Sequence, residues 1–422
     1  MTVNVTDTVG ANNTIVLDSN SKIPTIDGSQ VTALSATAFT TGSLATARID
    51  VGTTAGKILQ LDSNAKIPAI SGANLTNAPG PTVSASDPTV STNPTLGAKW
   101  INKTSGEVYI CTDATTDENV WTNVGPGTGN VVPYLFQGTQ YGYRLGGAVS
   151  GANNVIDKHS YTSDGNATDV GDLTTARDGV CGTTSSTHCY AVSGRAGGTN
   201  TTTIERFAFA TGGNASAMTA TLTTALSFGG SSSSLSYGYR HAGHYPSATN
   251  LIEKFSHIAD TNATDVGDLT VTKGRAAGCS DPVGGYGYSA GSYPNSNVIE
   301  RFSYSSDGNA VDVGDLTISR GGSGSSSSTH GYVAGGYNGG ADVIDKFAYG
   351  ASSSSTDVGN LVAGRYWGAG TSSTTHGYTV GGDGSPNDTM IDKYSYSSDG
   401  NATDVGDTTA PTSNMGSVGS QN

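Results

Sequence analysis

Hydrophobic and aromatic positions along the last two thirds of the chain recur in register, with strand-like content and no helical pattern. One order of residues returns six times: a Gly-Tyr pair (Cys-Tyr in the second copy), small residues, a loop, then isoleucine, an acid, a base and an aromatic residue. The repeat tyrosines, which follow one another at intervals of 47, 49, 49, 44 and 46 residues, are Tyr143, Tyr190, Tyr239, Tyr288, Tyr332 and Tyr378. Such a period is typical of one β-propeller blade per repeat, so six blades are predicted over residues 131–422.

Each repeat divides into four predicted strands. Asp-Gly turns after the isoleucine-acid-base strand, at Asp164, Asp307 and Asp399, are strong hairpin signals. An Asp-Val-Gly-Asp-Leu stretch follows in several copies, and a strand rich in glycine, serine and threonine then precedes the next Gly-Tyr pair. Two segments are candidates for the missing strand of the first blade, residues 132–137 and residues 412–420.

The first 130 residues have a different sequence pattern and lack the sixfold repeat. Residues 1–80 contain a duplicated short apolar run that ends in Asp-Ser-Asn, at Asp18 and again at Asp62. So few large apolar residues cannot bury a core alone, which predicts a thin β region ordered by identical copies of itself. Residues 81–130 carry Trp100, Trp121 and turn signals, which predict a small β module. The predicted fold class is therefore all-β in three parts, 1–80, 81–130 and 131–422.

Charge and hydropathy narrow the possible partners. The net charge is −14 with a pI near 4.7, which disfavours nucleic acid and simple attachment to anionic membranes. No run of 18 apolar residues predicts membrane insertion. The first residues show no signal peptide, so synthesis in the cytoplasm is expected. The four cysteines fit no metal spacing and are expected to be buried free thiols, with a Cys181–Cys189 pair across adjacent strands of one blade as the alternative.

Two repeated sets of residues are candidates for chemistry. An aromatic residue precedes every Gly-Tyr pair or its equivalent: Tyr141, His188, Tyr237, Tyr286, His330 and His376. These rings suit sugar stacking or a histidine metal cluster, but a ring of blades would keep the histidines apart, which favours packing between blades. The acid-base pairs recur in every repeat and therefore indicate cross-strand ion pairs, with the aspartate of Asp-Val-Gly-Asp as partner of the base.

No catalytic motif stands in a convincing context, so no catalytic residue, metal site or cofactor is predicted. The aspartates between Asp164 and Asp172 lack the ligand order of a calcium loop, which makes calcium there a minor alternative. Paired carboxylates for glycan cleavage are a further alternative, because acids are abundant but none is singled out.

The loops between the Gly-Tyr strand and the isoleucine strand differ most among the repeats, and all six should emerge on one face of the ring. Tyrosines beside asparagine and aspartate suit carbohydrate binding through stacking and hydrogen bonds. The alternative is ordinary drift of solvated loops. The candidate receptor-binding residues are Asn154, Tyr245, Tyr293, Tyr337, Asn338, Asp383 and Asn387.

Two parts of the chain resemble known families. The Gly-Tyr pair, the double glycine at Gly146-Gly147, Gly335-Gly336 and Gly381-Gly382, and the charged-aromatic strand together resemble a kelch-type propeller blade over about residues 131–422. The later kelch tryptophan is missing. The segments 34–49 and 56–64 and the module around Trp100 and Trp121 resemble bacteriophage tail fibres. That resemblance implies a homotrimer that joins other phage tail or baseplate proteins through its N-terminal region.

The sequence therefore predicts a virion tail-fibre protein, not an enzyme, that attaches the particle to a host surface polysaccharide or lipopolysaccharide. Two rivals belong to other classes. One is a glycan-active or oxidative propeller enzyme, which a lone asymmetric cluster of acids or a bound metal would favour. The other is a structural decoration or head fibre that binds no receptor.

Overall fold

A computed structural model describes residues 80–124, 137–148, 151–244, 246–281, 283–293, 296–338, 341–350, 352, 354–384, 388–413 and 416–421. Their regular structure is all β-strand, as predicted, and they include no helix that could span a membrane. These residues belong to two compact units, one with residues 80–87 and 98–108 and the other with the rest. The N-terminal region predicted over residues 1–80 lies outside the described residues, apart from residue 80.

Four short strands precede the repeats. In the first unit, β1 (Thr82–Ser84) pairs in parallel with β2 (Lys99–Asn102), and the Trp100 indole donates to the carbonyl of Ser86 at 2.8 Å. In the second unit, β3 (Val108–Asp113) forms an antiparallel pair with β4 (Val120–Asn123). The buried Trp121 indole of β4 donates to the Thr89 carbonyl at 3.2 Å, so each tryptophan fixes a loop of its own unit.

The second unit also contains six antiparallel four-stranded sheets, which match the six repeats. The first sheet contains β5 (Tyr141–Ala148), β6 (Ala152–Ser160) and β7 (Thr168–Asp172). The second contains β8 (Cys181–Thr184), β9 (His188–Val192), β12 (Thr203–Ala208) and β13 (Ser216–Thr221), with the small hairpin β10 (Arg195–Ala196) and β11 (Thr199–Asn200) after β9. The third contains β14 (Gly230–Ser233), β15 (Tyr237–His241), β16 (Thr249–Ser256) and β17 (Thr264–Lys273).

The last three sheets repeat the same order of strands. The fourth contains β18 (Ala277–Asp281), β19 (Tyr286–Ser292), β20 (Ser296–Ser303) and β21 (Val311–Asp315). The fifth contains β22 (Ser323–Ser326), β23 (His330–Ala334), β24 (Val343–Ala348) and β25 (Thr356–Asn360). The sixth contains β26 (Ala369–Ser372), β27 (His376–Val380), β28 (Met390–Ser395) and β29 (Thr403–Asp407). The strand β30 (Gly416–Gln421) then pairs with β5 and completes the first sheet.

The strand that completes the first sheet therefore comes from the C-terminal one of the two candidate segments. Residues 132–136 lie outside the described ranges, whereas Gln137 and Gly138 are described. The Gln137 amide donates to the Ser326 carbonyl at 3.1 Å, and Gly138 forms a parallel bridge with Ser373. The chain thus enters the repeats beside the fifth and sixth sheets.

The first strands of the six sheets, counting β30 for the first sheet, contact one another in a circuit. β30 contacts β8, β8 contacts β14, and the contacts continue through β18, β22 and β26 back to β30. Backbone N–H groups donate to serine hydroxyls of the next strand, as from Ser233 to Ser280 at 2.9 Å and from Ser326 to Ser372 at 2.8 Å. Small side chains allow this close approach, which explains why these strands are rich in glycine, serine and threonine.

Aromatic stacking joins each sheet to the next. Every repeat tyrosine is at most 3% exposed and stacks on a ring of the following sheet. The pairs are Tyr143–Phe209, Tyr190–His257, Tyr239–Tyr304, Tyr288–Tyr349, Tyr332–Tyr396 and Tyr378–Tyr161, with centroids 4.7–5.5 Å apart. The last pair connects the sixth sheet to the first. In the five copies with a Gly-Tyr pair, an aromatic ring of the adjacent strand covers the glycine, as Phe255 covers Gly238.

Buried ion pairs form a second set of contacts between sheets. The acid of each isoleucine-acid-base strand is buried beside a buried base: Arg144–Asp157, Arg177–Glu205, Arg240–Glu253, Lys273–Glu300, Arg320–Asp345 and Arg365–Asp392. A residue at the end of the fourth strand of the preceding sheet, or just after it, also donates to that acid. Thr174 donates to Glu205 from its N–H and hydroxyl at 2.8 and 2.6 Å, and Thr409 does the same to Asp157 at 3.1 and 2.6 Å. Each carboxylate therefore binds two sheets together.

The base comes from one of two positions. In the second, fifth and sixth sheets it lies in the connection that enters the sheet, as Arg320 does, and in the fourth sheet it is Lys273, the last residue of β17. In the first and third sheets that position holds Thr412 or Leu226, and the base lies instead directly after the repeat tyrosine, at Arg144 and Arg240. Each buried acid thus keeps one buried base, although the base comes from either of two positions in the repeat.

The partner expected for the base of the isoleucine-acid-base strand was wrong. Three lysines pair with the aspartate of the Asp-Gly turn in the next sheet, not with Asp-Val-Gly-Asp: Lys254–Asp307, Lys346–Asp399 and Lys393–Asp164, at 2.6–2.8 Å. The Asp-Val-Gly-Asp glycine lies instead where the backbone of the next Asp-Gly turn comes close, as Gly267, with φ of +150°, does against Gly308. A side chain there would collide with that backbone.

The four cysteines are buried and free, as predicted. Cys181 and Cys189 lie on adjacent strands, but their register partners are Val192 and Thr184. They belong to different hydrophobic clusters, so they do not face each other. Burial raises the pKa of the Cys279 thiol to about 12, which keeps it protonated at neutral pH.

The exchange of base positions can be tested in the fifth sheet. Arg320→Leu leaves the buried Asp345 without its base and should lower the free energy of unfolding by about 3–5 kcal/mol. Adding Val333→Arg copies the third sheet, with its Leu226 and Arg240, and should restore most of that loss. Urea unfolding measures both variants. A double variant as unstable as the single one would contradict the equivalence of the two positions.

Buried histidines make the fold sensitive to acid. Burial lowers the pKa of His159 to about 4, and this ring also bonds the Thr371 hydroxyl of the sixth sheet at 3.1 Å. Because the pKa in the folded protein lies below the ordinary value of 6.5, the stability is complete above pH 6.5 and is lost as the pH falls. By linkage, His159 removes about 3 kcal/mol between pH 7 and pH 4.

His159→Phe tests this loss, because four of the other repeats have phenylalanine at the equivalent position. The variant should lose about 1 kcal/mol at pH 7 with the missing hydrogen bond. It should be more stable than the parent protein near pH 4, as measured by urea unfolding across that range. The half-exposed His330 serves as control, and His330→Tyr should change the pH dependence far less. Parallel pH profiles of parent and His159→Phe would rule out His159 as the cause.

Candidate functional site

Two sets of segments meet at the same edge of the sheets. One set is the loops between the second and third strands, and the other is the connections from a fourth strand to the next sheet. Antiparallel order places both at one edge. Backbone pairs join them directly: Tyr366 and Asp383 exchange N–H···O bonds of 3.1 and 2.7 Å, and the Tyr293 N–H donates to the Gly274 carbonyl at 2.8 Å. This edge therefore combines the variable loops with the connections.

One position of the connections has a left-handed backbone. It lies two residues after the position that holds the buried base in most sheets. Its left-handed occupants are Gly179, Phe228, Arg275 and Trp367, with φ of +62°, +57°, +56° and +61°, whereas Gly322 of the fifth sheet is not left-handed. Glycine adopts this conformation without penalty, whereas a residue with a β-carbon loses about 1–2 kcal/mol. Three of the sheets thus carry a large side chain where the backbone favours glycine.

These three side chains come together. The Arg275 guanidinium carbon lies 4.0 Å from the ring centroid of Phe228 and 4.2 Å from that of Trp367. At these distances a cation is attracted to the faces of both rings. We refer to Phe228, Arg275 and Trp367 as the arginine stack. It joins the third, fourth and sixth sheets and has no counterpart in the sixfold repeat.

A row of aromatic rings extends from the stack along the loops. Trp367 lies parallel to Tyr337, at 6.2 Å and 11°, and contacts Tyr366 edge-on at 4.6 Å. Tyr337 contacts Tyr293 at 5.3 Å, and Tyr293 contacts His244 at 5.8 Å, both edge-on. We refer to His244, Tyr293, Tyr337 and Tyr366 as the aromatic row. Tyr337 is 41% exposed, so the row has an open aromatic surface.

Partial burial determines the protonation states of His244 and Tyr366 in the aromatic row. Burial lowers the pKa of His244, and the nearby positive Arg275 lowers it further, so the imidazole is neutral at physiological pH. Burial raises the pKa of Tyr366, and Asp383 and Tyr337 add to that effect. The tyrosine hydroxyl therefore remains protonated and can donate a hydrogen bond.

The arginine stack lines a cavity of about 90 Å³ at the start of the first strands. Its walls are mostly glycine backbone from the second to the sixth sheet, together with Phe228, Arg275 and Trp367. Among the described residues that line it there is no acidic side chain, although the whole chain has a net charge of −14. The cavity therefore combines a cation, aromatic faces and backbone polar groups.

The structure brings some of the predicted receptor-binding residues together. Tyr293 and Tyr337 belong to the aromatic row, Asn338 is exposed beside Tyr337, and Asp383 pairs with the backbone of Tyr366. Asn154 lies apart on β6, where its carbonyl accepts a hydrogen bond from the Leu173 N–H at 2.7 Å. Tyr245 and Asn387 lie outside the described residues.

The sequence analysis did not identify Phe228, Arg275, Trp367, Tyr366 or His244. A signal for the arginine stack was present, because aligned repeats have glycine at this position in two copies, Gly179 and Gly322, and large residues in three others. The left-handed backbone that makes the position unusual is not visible in that alignment.

The aromatic residues before the Gly-Tyr pairs lie at the other edge and make local contacts. Lys158 lies 4.4 Å from the Tyr141 ring, and Arg301 lies 4.5 Å from Tyr286. His188, His330 and His376 each share a 2.8 Å hydrogen bond with the threonine that precedes them. In the part of the chain that the structure describes, no group of three or more His, Cys, Asp and Glu side chains is placed to hold a metal ion.

The backbone strain at Arg275 can be measured with two substitutions. Arg275→Gly and Arg275→Ala remove the same side-chain contacts, but only glycine relieves the left-handed conformation. The glycine variant should be more stable by about 1 kcal/mol in urea unfolding. The same exchange at the exposed Val311, where the backbone is an ordinary strand, should instead favour alanine. Equal stability of the two Arg275 variants would contradict the strain.

Comparison with known proteins gives no family for this chain. No protein-family model and no curated protein sequence matches it. A function has to be inferred from the site itself and from the resemblances in the sequence.

Proposed function

We propose that the six sheets are the blades of a closed, kelch-like β-propeller that forms the C-terminal head of this protein. Three sixfold sets of contacts support this proposal. The first strands contact in a circuit, the repeat tyrosines stack on the next sheet, and the buried carboxylates accept hydrogen bonds from the preceding sheet. In each set the sixth sheet contacts the first, and β30 pairs with β5.

The head would bind a carbohydrate on a host cell surface without cleaving it. The observation that carries this proposal is the open aromatic row beside the arginine stack, at the edge where the loops vary. Sugar rings have apolar faces that stack on aromatic side chains, and their hydroxyls exchange hydrogen bonds with tyrosine and backbone groups. The row departs from the sixfold repeat, as a binding site for one asymmetric ligand requires.

The wider role follows from the sequence resemblance to bacteriophage tail fibres. The protein would be part of the virion, as a homotrimer attached to tail or baseplate proteins through its N-terminal region. Its ligand would be a host polysaccharide or lipopolysaccharide. Three heads on one fibre would act together, so weak individual sites would give firm attachment through avidity.

Binding can be tested with the full chain on immobilised bacterial surface polysaccharides. Tyr337→Ala should weaken binding about tenfold or more, because it removes the exposed ring of the row. Tyr237→Ala is the matched control, since Tyr237 is similarly exposed, at 37% against 41%, but lies at the opposite edge of its sheet. Equal losses in both variants would overturn the assignment of the aromatic row. Release of reducing sugar in the same assay would favour the enzyme instead.

A further inference from the structure

The three residues of the arginine stack have a backbone conformation that is unfavourable for residues other than glycine. Phe228, Arg275 and Trp367 all have left-handed conformations at equivalent positions, where the second sheet has Gly179. Each costs about 1–2 kcal/mol relative to glycine. Strain of this kind persists where the surrounding structure enforces it and is concentrated at ligand sites. The stack also departs from the sixfold pattern that stabilises the sheets, so the scaffold does not require it.

The chemistry of the stack fits an anionic ligand. Arginine keeps its positive charge at every physiological pH. A guanidinium stacked on aromatic faces presents its N–H groups at its edge, where a carboxylate is bound with two hydrogen bonds. The Trp367 indole N–H, on the ring that the guanidinium covers, is buried and has no hydrogen-bond partner among the described residues.

We propose that this site binds an acidic sugar, with the sugar ring on the aromatic row and its carboxylate on Arg275. The proposal rests on the carbohydrate-binding function proposed above and specifies the class of ligand. The ring of Tyr337 lies parallel to Trp367 at 6.2 Å, and Trp367 lies 4.2 Å from the Arg275 guanidinium carbon. A sugar ring stacked on Tyr337 would therefore be separated from the cation by the Trp367 ring, and its charged substituent would extend to Arg275. The lining contains no described acid that would repel a carboxylate.

Pairs of ligands that share a sugar ring but differ in charge show whether the carboxylate contributes to binding. Glucuronic acid, galacturonic acid and N-acetylneuraminic acid are each compared with their methyl esters for binding to the full chain, by saturation-transfer NMR and titration calorimetry. At least one acid should bind about tenfold more tightly than its ester, because a charge-assisted hydrogen bond is lost on esterification. Arg275→Gln should abolish that difference, and Arg275→Lys should keep only part of it, because lysine lacks the planar fork.

The controls distinguish this proposal from the one it rests on. Arg301→Gln removes another arginine that lies over a tyrosine ring, at Tyr286, and should leave the preference unchanged. An unchanged urea-unfolding transition shows that each variant is folded. If binding to polysaccharide depends on Tyr337 but no acid is preferred over its ester, the carbohydrate function stands and the acidic-sugar assignment is wrong. If Arg275→Gln retains the full preference, the stack only closes the cavity and the anion binds elsewhere.

Discussion

The buried carboxylate of each isoleucine-acid-base strand is the interaction on which the arrangement of sheets depends. Removing a carboxylate from water costs several kcal/mol, so it must be paired and hydrogen-bonded. Here the base belongs to the sheet or its entry, whereas the N–H and hydroxyl donors, such as Thr174 and Thr409, follow the preceding sheet. No sheet can satisfy its own acid alone. The charge thus makes each sheet require its neighbour, and the stacked tyrosines fill the space between them.

The number of sheets and their strands could be predicted from the sequence, because register and turn signals are local properties. The partners of the charged residues could not. Strand periodicity states which face a side chain lies on, but the Lys254–Asp307 pair joins different sheets. The third sheet has Leu226 and Arg240 at the two positions where the fifth sheet has Arg320 and Val333. This difference is visible in the sequence, but only the structure shows that Arg240 and Arg320 pair with equivalent acids. The identity of the strand paired with β5 was likewise open until the register was seen.

The sequence predicted loop residues of the candidate site but not those of the connections between sheets. Variation among repeats drew attention to loops, and Tyr293 and Tyr337 do lie in the aromatic row. The connections contribute as much, but their large residues replace glycine in a left-handed backbone, and sequence rules assign that conformation to glycine or asparagine. Phe228, Arg275 and Trp367 contradict the rule, so no pattern of residue types indicated that they meet. Such local violations are expected where function outweighs stability.

Aromatic residues occur in two kinds of surroundings in this chain. The six repeat tyrosines are almost fully buried and each has the same stacked partner, so they contribute packing energy wherever the repeat occurs. Tyr337 has no such symmetry, leaves much of its ring in water and stacks on a tryptophan with a strained backbone. Exposed aromatic surface and strained backbone each lower stability, and here they coincide at one edge. A sequence selected for stability alone would avoid both features, whereas the binding site proposed at that edge would need them.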